Sequence, residues 1–204
     1  DGSVVGVPIS VNSNYIRFNN KTGAALSGIK TAAVETTLGT YIVAARAPNA
    51  YAGTPDNPTI FGARLGKLVS DPSTSREGTV MYFHGSSGLL VRSGYNTALN
   101  YSMSAIARPD GAFSDWFIAV GVIAADRPTL RNITNKTTGT TPAAANRTPS
   151  SNNIHIGMTP NPDSGGGVID VAAFLAYNRV LSSTEIDSAV ADMRKYLTLK
   201  GMTA

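Results

Sequence analysis

Short apolar segments alternate with turn residues along almost the whole chain, and only the C-terminal stretch changes to a helical period. Strand candidates are Val4–Ser10, Tyr15–Asn19, Thr40–Ala47, Thr59–Ala63, Thr79–His84, Leu89–Ser93, Asn100–Ala107, Trp116–Ile123, Thr129–Ile133, Asn153–Met158 and Val168–Tyr177. Clusters of Gly, Pro, Asn and Asp separate them, which is the pattern of an all-β sandwich or barrel. Gly85-Ser86-Ser87-Gly88 joins two of these runs as a hairpin, and Pro109-Asp110-Gly111 is a second turn with its own chemistry. Gly23–Glu35 is open to two readings, because Ala24, Ala25, Leu26, Ile29 and Ala33 also allow a short helix. Pro48–Pro58 and Thr134–Asn152 read as long loops, and loops of that length are usually functional or mobile.

The helix announces itself chemically. Ser182 and Glu185 have the S-x-x-E spacing of a capping box, in which each side chain satisfies the other's free backbone N–H. Ile186, Ala189, Val190, Met193 and Leu197 recur at helical spacing and form one apolar stripe. Lys195 and Lys200 sit near the C-terminal end, where positive charge suits the dipole, and Gly201 is placed for a left-handed stop. This spacing predicts a helix over residues 182–197. A glycine turn (Ser164-Gly165-Gly166-Gly167), an apolar run from Val168 to Ala176 and the sequence Tyr177-Asn178-Arg179-Val180-Leu181-Ser182 lead into it.

The 204 residues fit one domain over 1–204, and 42% hydrophobic content is enough for a core. No apolar run approaches the roughly 18 residues of a membrane span, so membrane insertion is not expected. No basic segment followed by an apolar stretch opens the chain, so no signal peptide is expected. With Asp1 rather than Met at its start, the chain reads as a fragment or a processed product. Cysteine is absent, which removes disulfides, thiol chemistry and thiolate metal sites. The net charge is +4, but the basic residues are scattered. Nucleic-acid binding needs a clustered basic footprint and is therefore not expected.

Four stretches resemble the concanavalin A-like lectin/glucanase superfamily, in particular its laminin-G-like jelly-roll domains. Thr40-Tyr41-Ile42-Val43-Ala44-Ala45-Arg46-Ala47-Pro48 is similar to the family's early strand, and Thr59-Ile60-Phe61-Gly62 to the strand that follows it. Ser114-Asp115-Trp116-Phe117-Ile118-Ala119-Val120 resembles its "W-x-H-V-A-V" strand. Ile154-His155-Ile156-Gly157, then Tyr177–Ser182 with Glu185-Ile186, resembles its "L-Y-I-G … Y-N-R-A-L-S-x-x-E-I" ending. Two departures stand out: Ala172 and Ala173 replace frequent acidic residues, and Ala45 replaces a frequent tryptophan. The resemblance implies an all-β, two-sheet antiparallel jelly-roll sandwich closed by one C-terminal helix. It implies a non-catalytic carbohydrate-binding or adhesion domain of a larger surface or virion protein, phage proteins included. Its partners would be a glycan and other copies or chains of that assembly, at an extracellular surface or on a virion. The alternatives are a decoration module that contacts protein rather than sugar, and a polysaccharide-degrading enzyme on the same fold.

Candidate site residues follow from what sugars and ions need. Tyr82 and His84 share a strand face by period-two alternation, and Arg92 sits across the turn from them. A Tyr/His/Arg surface suits sugar contact or lyase chemistry. Tyr51, and Tyr95 beside Asn96, lie among polar loop residues and offer stacking platforms. A hard cation needs several converging oxygens; Asp163 with Asn161 is one candidate for a structural calcium and Asp110 and Asp56–Asn57 are others, but none has the spacing of a known calcium loop, and Asp163 also reads as a turn former. Glycoside hydrolysis needs two carboxyl groups, and the chain has three glutamates, Glu35, Glu77 and Glu185. Glu185-Ile186-Asp187 matches the start of the glucanase E-I-D motif but reads as a helix cap. Trp116, the single tryptophan, starts an apolar strand and is assigned to the core, while His155 reads as a plain strand residue.

Overall fold

The computed structural model of the chain describes residues 2–6, 10–20, 27–48, 57–64, 66–68, 71–76, 78–84, 88–95, 101–106, 113–139, 141, 147, 149–160 and 167–204. Among these, the early strands are β1 (Gly2–Gly6), β2 (Ser10–Val11), β3 (Ile16–Asn19), β4 (Ser27–Val34), β5 (Gly39–Arg46), β6 (Thr59–Gly62), β7 (Gly66–Leu68) and β8 (Asp71–Arg76). Then come β9 (Val80–His84), β10 (Gly88–Gly94), β11 (Tyr101–Ile106), β12 (Phe117–Ile123), β13 (Pro128–Asn132), β14 (Thr137–Thr138), β15 (Asn153–Ile156), β16 (Val168–Tyr177) and α1 (Ser183–Leu199).

Sheet A has seven strands in the order β1-β4-β15-β6-β9-β10-β11, and sheet B has seven in the order β14-β13-β12-β5-β16-β3-β2. Their pairings are antiparallel. The two sheets share one core. Phe18, Tyr41, Val43, Phe117 and Ile169 of sheet B meet Phe61, Met81, Phe83, Leu89 and Val91 of sheet A, all of them buried. Phe83, Phe113 and Phe117 stack edge-on, with centroids 4.7 to 5.9 Å apart. Burying each such ring contributes about 1.5–3 kcal/mol.

Strand β5 is apolar on both faces, and the structure supplies the reason. Tyr41, Val43 and Ala45 point into the sandwich. Ile42 and Ala44 point outward, where they meet Ile118, Val120 and the α1 stripe of Ile186, Val190, Met193 and Leu197. The helix therefore covers the outer face of sheet B. The capping box is formed: Ser182 Oγ accepts from Glu185 N at 3.3 Å, and Ser182 N donates to Glu185 Oε2 at 2.8 Å. Gly201 stops the helix at φ +68°, and Met202 N returns to the Leu197 carbonyl at 2.9 Å.

The segment Tyr177–Ser182 is a joint between sheet and helix. Thr40 Oγ1 donates to the Arg179 carbonyl and accepts from Leu181 N, which pins the crossover to β5. Leu181 is buried under the helix and Tyr177 packs beside it. The Arg179 guanidinium grips Glu185 with contacts of 3.0 and 2.6 Å.

The structure settles one open reading and adds to two others. Within Gly23–Glu35, left open between two readings, Ser27–Val34 is a strand, because pairing with β1 and β15 outweighs the weak preference of its alanines. The hairpin β7–β8 was not among the strand candidates. Within the Thr134–Asn152 loop, Thr137–Thr138 pairs with β13, and Arg147 bridges to Tyr95.

Candidate functional site

The predicted trio comes together on the outward side of sheet A. Alternation sends Met81 and Phe83 into the core and turns Tyr82 and His84 outward on the same strand. The register with β10 sets Leu90 opposite Tyr82 and Gly88 opposite His84. The Tyr82 and His84 rings stand perpendicular, with centroids 6.0 Å apart, and the Arg92 guanidinium lies 5.6 Å from the Tyr82 ring centre. His84 is exposed and Tyr82 half-buried, but Arg92 is only 7% exposed. The exposed part of this group is thus an aromatic corner with an imidazole at its edge, and the arginine backs the tyrosine.

Tyr95 is not a platform. It is 1% exposed, its hydroxyl donates to the Ala124 carbonyl at 2.9 Å, and Arg147 lies 5.7 Å from its ring centre. Burial pushes its hydroxyl pKa above the ordinary tyrosine value. One residue past the end of β10, Tyr95 pairs with Arg147 in an isolated antiparallel bridge. Tyr51, Asn96, Asn161, Asp163, Asp56 and Asp110 lie outside the described residues. Among the described residues no three His, Asp or Glu side chains converge as a metal site would require. His155 is buried in β15, and that burial lowers its pKa.

The described glutamates are committed to structure. Glu35 and Arg147 form a buried pair. Glu35 also accepts from Thr79 N and Ser150 N, each at 2.6 Å, and from Thr79 Oγ1. Glu185 caps the helix, and the Arg179 guanidinium, then Ser182, hold its carboxyl at about 2. The Glu77 side chain is outside the described residues.

A second cluster was missed in the sequence. Trp116, Arg46, Asp170 and Arg17 form a row across the outer face of sheet B, with Trp116 packed against the cluster under α1. Asp170 pairs in register with Arg46 of β5 on one side and Arg17 of β3 on the other. Asp170 is fully buried. Arg17 donates to it through Nε and Nη2 at 2.7 and 2.8 Å, and Arg46 through Nε at 2.8 Å. The Arg46 guanidinium lies 4.9 Å from the Trp116 ring centre and 5.2 Å from that of Tyr15. Those two rings meet edge-on at 5.5 Å. Trp116 is half-buried on this outer face rather than part of the sandwich core, because Phe117 takes the inward position. The available signal was one charged residue in each of three apolar strands, as in Ile16-Arg17-Phe18 and Ile169-Asp170-Val171. Opposite charges placed so predict cross-strand pairing.

No protein-family model matches the chain, and no curated protein is significantly similar to it. Solved structures share its fold. A botulinum neurotoxin type G binding domain superposes with a TM-score of 0.68 at 12% identity, over 95% of this chain and 47% of that one. A second structure of the type G receptor-binding domain gives 0.67 at 13% identity, over 95% and 47%. A structure of botulinum neurotoxin type C, whose ability to enter cells depends upon interaction with two ganglioside molecules, gives 0.67 at 10%, over 94% and 46%. At this identity the likeness is one of β-sandwich fold, and the chain spans just under half the length of those structures.

Proposed function

We infer that the chain is a non-catalytic carbohydrate-binding or adhesion domain, a single concanavalin A-like, laminin-G-like unit over residues 1–204. The observation that carries this reading is the Tyr82–His84 corner on the outward face of sheet A, backed by Arg92. An aromatic ring beside an exposed hydrogen-bonding group supplies the stacking and the directed polar contact that a neutral sugar takes. The ganglioside dependence of one fold neighbour supports the reading. So does the commitment of Glu35, Asp170 and Glu185 to arginine partners, which leaves none of them poised as a hydrolytic acid or base. The parent would be a surface or virion protein, with the glycan outside the cell.

The test is a glycan array with and without calcium, followed by Tyr82→Ala and His84→Ala on any hit. Each change should weaken a saturable hit by about tenfold or more, the scale of a lost ring contact plus a hydrogen bond. A blank array in both conditions would remove the reading.

One observation favours the alternative of a protein-contacting assembly module. Strand β3 pairs with β16 only over Val168–Val171, whereas β5 continues to Tyr177. Ala172–Tyr177 therefore has no neighbouring strand on one side among the described residues. A cavity of about 450 Å³ between this edge and α1 is lined by Ala173, Leu175, Met193 and Tyr196. An uncharged apolar edge of this kind is a template for strand addition.

A further inference from the structure

We propose that the Trp116–Arg46–Asp170–Arg17 row, with Tyr15, is a binding site for an acidic saccharide, one carrying a carboxylate on its pyranose ring. The argument starts from charge. Burying Asp170 requires a positive partner, and Arg17 alone meets that need with two hydrogen bonds of 2.7 and 2.8 Å. Arg46 adds a second positive charge to a carboxylate already neutralised. The row holds two arginines and one aspartate, which leaves one positive charge in excess.

That excess charge is presented at the surface. The side chains of Arg17 and Arg46 are 37% and 28% exposed, and the Asp170 side chain is 0% exposed beneath them. Both guanidinium groups spend their Nε edge on Asp170. Among the described residues, Nη1 and Nη2 of Arg46 and Nη1 of Arg17 have no hydrogen-bond partner. The two Nη groups of Arg46 form the planar fork that fits a carboxylate bidentately.

The two rings supply the rest. Trp116 and Tyr15 are both half-buried, and they flank the Arg46 guanidinium edge-on to one another. The two rings border the Arg46 guanidinium with apolar surface, against which the C–H side of a sugar ring would rest while its carboxylate sits on the arginines. Asp170 and the rings already fix both arginines, so binding loses little side-chain entropy. A neutral sugar would leave the arginine fork unmatched. A bare carboxylate would leave the rings unused. The site is separate from the Tyr82–His84 corner and does not depend on it.

Trp116 is the only tryptophan in the chain, so its fluorescence reads this site alone. The whole chain is titrated at fixed ionic strength with glucuronate, glucose and acetate. The expected result is a saturable change with glucuronate, none with glucose, and about tenfold or weaker affinity for acetate, since the ring contact is missing. Arg46→Lys keeps the charge on Asp170 but loses the fork, and should weaken glucuronate by about tenfold or more. Trp116→Phe leaves the ion pairs intact; there, glucuronate should still shift the Nε–H resonances of Arg17 and Arg46 in ¹H–¹⁵N spectra, more weakly. Three outcomes would overturn the site: a flat glucuronate titration, equal affinity for acetate and glucuronate, or unchanged binding in Arg46→Lys. His84→Ala should leave the Trp116 signal untouched, so failure here and failure at the sheet A corner are told apart.

Discussion

Arg147 and Glu35 lie 112 positions apart and meet with both side chains closed off from solvent, 1% and 0% exposed. Around them Thr79 bonds Glu35 and also contacts Ser93 Oγ at 2.7 Å, and Arg147 Nη1 donates to the Gly94 carbonyl at 3.0 Å. The pair therefore ties the end of β4, the start of β9, the end of β10 and the approach to β15 at one end of the sandwich. Arg147→Met should destabilise the chain by about 3–5 kcal/mol, because it strands a buried carboxylate. The double change Glu35→Leu with Arg147→Met should recover much of that loss. Urea denaturation of the three proteins measures both, and a double variant as unstable as the single one would contradict the account.

Gly157→Ala should cost about 3 kcal/mol or more, from backbone strain and overpacking together. Gly157 has φ +82°, and a Cβ there would stand 2.2 Å from the Phe18 ring. Its N–H and carbonyl are also fixed, by Ile60 and by Asn20, at 2.8 Å each. Thermal melting reads the loss, and a melting point within a degree of the parent would refute the close contact.

Acid should loosen the helix junction, which is intact at neutral pH. Glu185 is held at about 2 against an ordinary 4.5, chiefly by the Arg179 guanidinium and then by Ser182. A depressed carboxylate contributes stability that is present above about 4.5 and is lost as pH falls through about 2. Glu185→Gln should therefore lower the melting point at pH 7 and flatten its fall between pH 4.5 and pH 2. Parallel slopes for the two proteins across that window would show that the pair carries no linkage.

Leu175→Lys places a charge on the bare edge of β16, where Leu175 is 36% exposed. If copies of the chain pair through this edge, sedimentation of the parent will shift with concentration and the variant will not, since an edge lysine blocks strand addition. A parent that stays monomeric at every concentration removes self-pairing from the assembly reading.

Local chemistry was legible in the sequence wherever neighbours in the chain are neighbours in space. The Ser182–Glu185 box, the helical stripe ending at Gly201, and the outward alternation of Tyr82 and His84 over Phe83 needed no distant residue. Strands such as Val168–Tyr177 could be read directly because their apolar runs exceed any competing local preference. Tertiary structure alone decided what depends on register. Asp170 opposite both Arg17 and Arg46 follows from strand order, which periodicity does not specify. The burial of Tyr95 is set by distant partners: Arg147, more than fifty positions away, bridges to it, and the Ala124 carbonyl accepts from its hydroxyl. Trp116 left the core because one step along β12 exchanges the inner face for the outer. Ser27–Val34 became a strand because two neighbouring strands offered it hydrogen bonds. A chain encodes its local periods residue by residue, but which charged side chains meet is settled only when the sheets have paired and closed.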